Sequence, residues 1–258
     1  MIVIIVSLLC AYILLFLLSI YLKDNTIADI FWGSGFILIA WISYFLSDMH
    51  QVQLFLTLLI TVWWARLTIH IWSKKLSHAW EDARYARWRE SWKYFYLRSF
   101  FQVYILQGFL MILIAFPLYA HLFFEIKTYT IWVLILWVLL AMFWLIYEII
   151  ADTELKQFMK TKKSWEILTW GLRKYHRYPQ YFWESIFWLG ISITAVFYSP
   201  LVFAGWIIIT FLLLQVSWVP LLEFRYRNHD AYQKYAQYTP IFFPHYLRIC
   251  KYIKNHTK

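Results

Sequence analysis

The sequence has little charge, glycine, proline or cysteine for its length. Charged residues make up 15% of the 258 positions, against about a quarter in soluble domains, whereas hydrophobic residues make up 62%. Six glycines and six prolines leave no room for a flexible linker. Two cysteines, Cys10 and Cys250, provide no disulfide framework and no metal-ligand spacing, so no metal site is expected. This composition excludes a soluble domain and predicts an integral membrane protein.

Two nucleotide-binding motifs are also missing. Neither Gly-x-Gly-x-x-Gly nor Gly-x-x-x-x-Gly-Lys-Ser/Thr occurs, so the chain contains no Rossmann or P-loop domain, and any nucleotide must bind in the membrane bundle itself. The formal net charge of +10 could indicate nucleic acid. The basic residues instead flank apolar runs, which indicates a membrane surface, and we expect no nucleic-acid partner.

Seven apolar runs are long enough to cross a bilayer as helices. The first lacks a basic leader and a small-residue cleavage site, so we interpret it as a mature helix. The predicted fold is all-α: one membrane-embedded domain over residues 1–258, a bundle of seven transmembrane helices, with a tail over 223–258. The predicted spans are Ile2–Leu22, Ile27–Leu46, Leu54–Trp72, Phe100–Phe124, Ile131–Ile150, Phe182–Tyr198 and Leu201–Leu222.

The basic residues predict the orientation. Twenty-one of the 24 lysines and arginines fall after the third span, after the fifth span or in the tail. Seven spans place these three segments on the same side, and the positive-inside rule makes that side cytoplasmic. We therefore expect an outside N-terminus, a cytoplasmic C-terminus and a multi-pass protein of a bacterial inner membrane or an endomembrane.

Ionisable residues inside the spans share one depth near the cytoplasmic face: Asp29, Arg66, His70 and Glu148, with Asp152 one turn further on. Such residues usually face the bundle interior or a cavity, so the pattern predicts a polar cavity that opens to the cytoplasm. Two plainer interpretations stay open. Asp29 and Arg66 could form an ion pair that joins two helices, and Glu148 and Asp152 could simply border the interface and pair with basic loop residues.

Gln107 lies in the fourth span and is either a site residue or an interhelical hydrogen-bond partner. Pro117, later in the same span, predicts a kink. The segment Ser77–Lys93 mixes acidic, basic and aromatic residues. An amphipathic helix on anionic lipid would explain its basic and aromatic residues, but lipid contact alone does not require Glu81-Asp82 beside Arg84-Tyr85.

Helical spacing puts Glu148 and Asp152 on one face, with Lys156 about 80° from Glu148. The fifth helix is therefore predicted to continue out of the membrane. Carboxylates suit ribose hydroxyls or a carboxamide better than phosphate. The stretch Gly171–Glu184 adds Arg173, Lys174 and Arg177 for phosphate and three tyrosines for stacking. Together these residues predict a nucleotide-like cofactor.

The motifs described above occur along the chain in the order in which the steroid 5-alpha-reductase superfamily has them, and they resemble those of its bacterial branch in particular. The resemblance extends from about residue 25 to residue 245. This chain departs from the family pattern at Arg173, at Tyr178-Pro179-Gln180 where the family has His-Pro-Asn, and at Trp183 where it has glycine. The matching positions are Asp29/Trp32/Gly33, Arg66-Leu67, Glu81-Asp82/Arg84-Tyr85, Gln107, Glu148/Asp152/Phe158 and Gly171–Glu184.

The resemblance implies a seven-helix reductase that binds NADPH from the cytoplasmic side and reduces the carbon–carbon double bond of a lipophilic enone taken from the bilayer. Asp29 is the nearest equivalent of the family's carbonyl partner. Trp63 stands about where the family has a tyrosine, and Tyr85 and His70 are candidates to replace it. The expected partners are the lipophilic substrate and membrane lipids, and the chain is expected to be a monomer.

The expected catalytic residues are Asp29, Arg66, His70, Tyr85 and Gln107. Eleven residues are expected to contact the cofactor. Nine of them follow from the resemblance, and the local chemistry adds Lys156 and Arg173. The expected cofactor residues are Glu148, Asp152, Lys156, Arg173, Tyr175, Arg177, Gln180, Tyr181, Glu184, Asn228 and Tyr232.

Two other functions compete with the reductase. An isoprenylcysteine-type membrane methyltransferase that uses S-adenosylmethionine shares a similar Arg-His-Pro-x-Tyr and Glu signature. The motifs at Asp29, Gln107 and Glu148/Asp152 favour the reductase. A lipid-binding or scaffold protein without catalysis is the second alternative, and the altered Tyr178-Pro179-Gln180 is compatible with it.

Overall fold

The computed structural model describes residues 1–47, 51–77, 81–124, 131–163, 166–216 and 218–242, and these form helices and turns without a strand. A π-helical segment, Phe100–Ile105, connects two of the helices, and a second one, Leu212–Val216, follows α10. The α-helices of these residues are α1 (Ile2–Leu22), α2 (Thr26–Phe45), α3 (Gln51–Ser77), α4 (Ala83–Ser91), α5 (Phe95–Ser99), α6 (Leu106–Ile114), α7 (Phe116–Tyr119), α8 (Ile131–Thr161), α9 (Pro179–Ala195), α10 (Phe203–Phe211), α11 (Trp218–Tyr226) and α12 (Asp230–Tyr238).

Two compact units make up the chain. The first unit comprises Met1–Tyr129 and Ala195–Gly205, and the second comprises Thr130–Thr194 and Trp206–Lys258. The expected all-helical class is confirmed for the described residues, and the single-domain assignment stays a prediction.

Four helical stretches among the described residues are long and apolar enough to cross a membrane: Ile2–Leu22, Thr26–Phe45, Phe95–Ile114 and Pro200–Tyr226. They correspond to the predicted first, second, fourth and seventh spans. The predicted third, fifth and sixth spans fall on α3, α8 and α9, although α9 ends at Ala195, before the predicted Tyr198. The membrane character of the chain therefore follows from its helices.

Helix α1 shows why one face of a span is buried. Its 21 residues contain neither glycine nor proline, and its buried residues, Ile4, Leu8, Tyr12 and Ser19, follow a helical stripe. The helix ends at Leu22, and the left-handed backbone of the next residue, Lys23 (φ 54°), lets the Asp24 N–H donate to the Ser19 carbonyl at 3.0 Å. The other faces of α1 expose large apolar side chains, as a lipid-facing helix requires.

Helices α2 and α3 approach closely at Gly33. A Cβ atom there would lie 2.5 Å from Thr68 Oγ1 and 3.0 Å from the Trp64 carbonyl oxygen. One turn further along α2, the Phe36 ring stacks on the Trp64 ring at 4.7 Å between centroids. The absence of a side chain at Gly33 therefore fixes the spacing between these helices.

The predicted irregularity at Pro117 is confirmed. Helix α6 ends at Ile114, Ala115 leaves helical geometry, and α7 restarts with Pro117 in its first turn. Helix α8 also runs unbroken from Ile131 to Thr161. The fifth predicted span thus continues as a helix well beyond Ile150, as its polar spacing indicates.

Candidate functional site

A capped helix start in the first unit brings α4 to the beginning of α2. The Asp82 carboxylate accepts a hydrogen bond from the Arg84 backbone N–H (2.9 Å) and so caps α4. The Asp82 backbone N–H donates to Thr26 Oγ1 at 2.9 Å, where α2 begins. Because of this pairing, Arg84 and Tyr85 in the first turn of α4 face the first turn of α2, which carries Asp29.

Three side chains converge on the Asp29 carboxylate. Arg84 Nη2 lies 2.6 Å from Oδ2, the Tyr85 hydroxyl donates to Oδ1 at 2.7 Å, and Gln107 Nε2 lies 3.5 Å from Oδ1. The side chain of Asp29 is 17% exposed and that of Arg84 is 27% exposed. We call Asp29, Arg84, Tyr85 and Gln107 the Asp29 cluster. It combines a largely enclosed carboxylate with a guanidinium, a phenol and an amide.

The two α4 residues of the Asp29 cluster keep their protons. Burial and the Asp29 carboxylate raise the pKa of the Tyr85 phenol well above its ordinary value. Burial acts to lower the pKa of Arg84, but the Asp29 carboxylate, the Asp82 carboxylate and Tyr85 together raise that pKa above its ordinary value. The site therefore holds a protonated phenol and a cation around its carboxylate.

A second ion pair holds the loop before α4. Arg89 donates to both Glu81 oxygens, at 3.0 and 2.8 Å, and Glu81 Oε1 also accepts from the Asn25 backbone N–H at 2.9 Å. The Asn25 side chain donates to Ser99 Oγ at 3.0 Å and accepts from the Tyr104 hydroxyl at 3.1 Å. These bonds tie the turn between α1 and α2 to the start of α4 and to the π-helical segment. The polar residues of Glu81-Asp82-x-Arg84-Tyr85 thus serve internal contacts rather than lipid.

One of the two simpler interpretations of the sequence, an ion pair between Asp29 and Arg66, is wrong for the described part of the structure. The partners of the Asp29 carboxylate are Arg84, Tyr85 and Gln107, whereas the Arg66 guanidinium lies 5.9 Å from the centre of the Trp63 ring. The cap at Asp82 decides this choice because it delivers Arg84 to the first turn of α2. The side chain of His70 lies outside the described residues.

In the second unit, four side chains form a compact polar cluster. Arg177 Nη1 contacts both Glu223 oxygens at 2.7 Å, and Glu223 Oε1 accepts from the hydroxyls of Tyr178 (2.7 Å) and Tyr232 (2.6 Å). The two hydroxyls lie 2.7 Å apart. We call Arg177, Tyr178, Glu223 and Tyr232 the Glu223 cluster. It ties the residues before α9 to α11 and α12.

Burial and hydrogen bonds keep these phenols protonated. Burial raises the pKa of Tyr178 well above its ordinary value, and its bonds to Tyr232 and Glu223 act in the same direction. Burial and the bond to Glu223 raise the pKa of Tyr232 to about 12. Burial acts to lower the pKa of Arg177, but Tyr232 and Glu223 raise it overall. The Tyr178 departure from the family's histidine thus has a structural role, because its hydroxyl bonds to Glu223.

The glycine that opens the stretch Gly171–Glu184 also has a structural role. Gly171 has a φ of 64°, and a side chain there would run into the Glu154 carboxylate, which accepts from the Leu172 N–H at 2.9 Å. Arg173 Nη1 donates a hydrogen bond to the Arg177 carbonyl at 2.7 Å. The backbone N–H of Arg177 in turn donates to the Pro240 carbonyl oxygen at 2.9 Å. Hydrogen bonds of its backbone therefore connect this segment to Glu154 of α8 and to Pro240 in the chain after α12.

The structure joins some of the expected cofactor residues and not others. Arg177 and Tyr232 belong to the Glu223 cluster, Arg173 supports its backbone, and the Tyr181 ring lies 5.9 Å from that of Tyr178. The side chain of Glu148 lies outside the described residues. Of the other expected cofactor residues, three are exposed and three are partly buried. The exposed residues are Lys156, Tyr175 and Asn228, and the partly buried residues are Asp152, Gln180 and Glu184.

Several partners were not predicted from the sequence. Arg84 stood in a recognised motif but was not expected to bind Asp29, and Glu223 and Glu154 were not expected to contribute at all. Glu223 lies 46 positions from Arg177 in a tail whose charge is mostly basic. An isolated carboxylate in such a tail is the one signal that could have indicated an internal ion pair.

His176 is a buried polar residue beside the Glu223 cluster. Its side chain is 2% exposed, Nε2 lies 2.9 Å from the Tyr147 hydroxyl, and its ring packs 5.2 Å from that of Phe182. Burial, with Arg173 nearby, lowers the pKa of His176 to about 4. The folded protein therefore holds a neutral imidazole here.

We expect the free energy of unfolding to fall as the pH is lowered from about 6.5 towards about 4. In that window the unfolded chain takes up a proton at His176 that the folded chain refuses, so the contribution is complete above the window and is lost within it, by at most about 3 kcal/mol. Unfolding in detergent should be followed across this range for the wild type and for His176→Asn. An equal pH slope in both proteins would contradict the assignment.

Within the described ranges, no group of three or more His, Cys, Asp or Glu side chains could hold a metal ion. The polar groups suit organic ligands instead. The Glu223 carboxylate and its two phenols match hydroxyl and amide groups, whereas Arg177 already carries a carboxylate partner, which weakens its attraction for phosphate. The second unit thus offers hydroxyl groups to the sugar or amide part of a nucleotide, while Glu223 reduces the charge that Arg177 presents to its phosphates.

Comparison with known proteins identifies a family to which most of the chain is similar. No curated protein and no solved structure matches the chain. Residues 15–239 match a family described as a protein of unknown function, DUF1295. This match covers most of the sequence, including every residue of both clusters, and the chain therefore belongs to the DUF1295 family.

Proposed function

We propose that the chain is an NADPH-dependent membrane reductase that reduces the carbon–carbon double bond of a lipophilic enone. The Asp29 cluster carries the proposal, because residues up to 78 positions apart converge on one carboxylate in the first turn of an apolar helix. Its members come from the motifs on which the resemblance to the steroid 5-alpha-reductase superfamily rests. The DUF1295 match, to a family associated with steroid 5-alpha-reductase-like proteins, supports the same assignment.

The proposal includes seven spans, an outside N-terminus and a cytoplasmic C-terminus. Four helices with the required length and apolarity support it, as does the grouping of 21 of the 24 basic residues in segments that seven spans put on one side. In this topology the first turn of α2 and the segment before α9 both belong to the cytoplasmic side. NADPH, which is confined to aqueous compartments, then reaches the protein from the cytoplasm, while the enone arrives from the bilayer.

When bound, NADPH supplies a hydride to the β-carbon of the enone and becomes NADP⁺. The π electrons of the double bond move towards the carbonyl oxygen, and the α-carbon then takes a proton from water, so the product gains two hydrogen atoms. The protein must stabilise the negative charge that develops on the oxygen. Asp29 accepts hydrogen bonds at both oxygens, so its proposed part is to fix the Arg84 cation and the Tyr85 phenol beside the reacting enone.

The cofactor residues proposed in the second unit are Arg177 and Tyr232, with Glu223 and Tyr178 added by the geometry. The Glu223 carboxylate holds the Arg177 guanidinium and partly neutralises its charge, and the Tyr178 and Tyr232 hydroxyls are suited to bond to ribose hydroxyls or to the carboxamide. Arg177 retains its Nη2 group for a phosphate oxygen, and its buried Nε has no hydrogen-bond partner among the described residues. Lys156 and Lys174, both exposed on the same unit, supply further positive charge for the phosphates.

The small molecule that copurifies with the protein tests the proposal against its rivals. We expect reduced nicotinamide, detected by its absorbance after denaturation, or saturable NADPH binding if the site empties during purification. Bound S-adenosylmethionine would instead identify a methyltransferase and overturn the reductase. Binding of neither molecule under saturating titration would favour a lipid-binding protein without catalysis.

A further inference from the structure

Tyr12 is a polar residue in the buried stripe of α1, and no sequence motif includes it. Its side chain is 1% exposed. The ring packs edge-on against Phe31 at 5.1 Å and against Tyr104 at 6.4 Å. Gly108 allows this position, since a Cβ there would lie 3.0 Å from the Tyr12 ring. Tyr12 is therefore wedged between α2, two residues after Asp29, and α6, one residue after Gln107.

The hydroxyl of Tyr12 has no hydrogen-bond partner among the described residues, although it is fully buried. The neighbouring phenols differ, because Tyr85 donates to Asp29 and Tyr104 donates to Asn25. An unsatisfied buried hydroxyl destabilises the folded state, so a ligand acceptor at this position would be favourable. Gln107 Oε1 is a second buried polar atom without a partner in the described part of the chain.

The donors of the Asp29 cluster bind the Asp29 carboxylate, so another group has to donate a hydrogen bond to the carbonyl oxygen of the enone. Asp29 Oδ1 accepts from Tyr85 and Gln107, and Oδ2 accepts from Arg84. Both oxygens of this carboxylate are thus already engaged with donors of the protein. The Tyr85 proton is directed at Asp29 and the Tyr104 proton at Asn25, whereas the Tyr12 hydroxyl has no acceptor among the described residues.

We propose that Tyr12 donates a hydrogen bond to the carbonyl oxygen of the enone. This inference rests on the proposed function and identifies the donor that the reaction needs. As hydride adds to the β-carbon, charge moves to the carbonyl oxygen, and the Tyr12 hydroxyl stabilises it without giving up its proton. The α-carbon is protonated by water.

The direct test uses Tyr12→Phe, which keeps the ring and removes only the hydroxyl. The probe is progesterone with an isotope-labelled ring carbonyl, added in detergent without cofactor. In the wild type we expect the carbonyl stretching frequency to be lower than in Tyr12→Phe, because a hydrogen bond weakens the C=O bond. The Kd of the probe should rise roughly tenfold in the variant. With NADPH present, kcat should fall by a factor of about 10²–10³.

Tyr119→Phe is the matched control. Tyr119 is as buried as Tyr12 and lies in the same unit, but its hydroxyl donates to the Ile112 carbonyl at 2.7 Å. Its loss should lower the thermal stability and leave the carbonyl frequency unchanged. Without ligand, Tyr12→Phe should unfold at the wild-type temperature or above it, since it removes an unsatisfied hydroxyl. A clear loss of stability in Tyr12→Phe would show that the hydroxyl is already bonded and would overturn the inference.

The remaining outcomes separate this inference from the proposed function. If the wild type reduces an enone and Tyr12→Phe does so equally well with an unchanged carbonyl frequency, the Tyr12 role falls and the reductase stands. If the wild type binds the probe through Tyr12 but oxidises no NADPH with any enone, the reductase falls and the carbonyl site stands. Failure of the wild type to bind the probe overturns the Tyr12 role itself.

Discussion

Replacing Asp29 with Asn should lower enone turnover by a factor of about 10²–10³ and leave NADPH binding unchanged. The amide is close in shape to the carboxylate and still accepts from Tyr85, but it carries no charge to hold Arg84, which lies 2.6 Å from Oδ2. The guanidinium then loses the contact that fixes it beside the reacting enone. Oxidation of NADPH by the purified protein with progesterone measures turnover, and quenching of tryptophan fluorescence by NADPH measures binding.

Two further variants distinguish positioning from general damage. Asp230→Asn removes the same charge from an exposed residue in the first turn of α12 and should leave turnover unchanged. Asp29→Glu restores the charge with one additional methylene and should recover part of kcat. Full activity in Asp29→Asn would remove Asp29 from the mechanism. A fall in thermal stability with an unchanged kcat for the folded fraction would make its role structural.

The two partners of the Arg177–Glu223 ion pair should have opposite effects on cofactor affinity. Arg177 is 10% exposed and Glu223 is 32% exposed, and two 2.7 Å contacts join them. Arg177→Ala should raise the Kd for NADPH by about 10–100-fold, because a charged hydrogen bond to phosphate is lost. Glu223→Gln keeps acceptors for Tyr178 and Tyr232 but frees the Arg177 charge, so it should lower the Kd by up to about tenfold.

Arg227→Ala is the control for this pair, since it removes an exposed positive charge of the same unit whose guanidinium stacks over Phe224. Its effect should be small and should disappear at high salt. Asp152→Ala should also weaken NADPH binding, as the resemblance implies. Unchanged affinity in Arg177→Ala would refute the cofactor assignment. Weaker binding in Glu223→Gln would indicate that Glu223 contacts the ribose or the amide and that Arg177 does not meet a phosphate.

The sequence predicted the helices and the residues of the Asp29 cluster better than it predicted their contacts. Long apolar runs determine spans because lipid leaves no alternative for the backbone, so α1 coincides with its predicted bounds. Gln107, expected either as a site residue or as an interhelical hydrogen-bond partner, lies 3.5 Å from Asp29 Oδ1. The choice between Arg66 and Arg84 as the partner of Asp29 depended on a short loop and on the cap at Asp82, whose geometry no periodicity encodes.

The Glu223 cluster was harder to predict for a related reason. Arg177 and Tyr232 were expected near one ligand, and they do lie together, at 3.3 Å between Nη1 and the hydroxyl oxygen. The carboxylate that holds them comes from the end of α11, where a charged residue on a basic tail resembles ordinary surface. Pairing across 46 positions depends on tertiary packing, which a local pattern does not contain.

The position of Asp29 in the first turn of α2 has a consequence for biosynthesis. Its counter-charge, Arg84, lies 55 positions later, and at about 5–20 residues per second the ribosome needs several seconds to make that stretch. If the second span enters the bilayer as it is synthesised, Asp29 does so before Arg84 is available to pair with it. A carboxylate at the end of a span is reached by water during this interval, whereas the same group at the centre would oppose insertion. The location that serves the finished site is thus also one from which the nascent helix can be inserted.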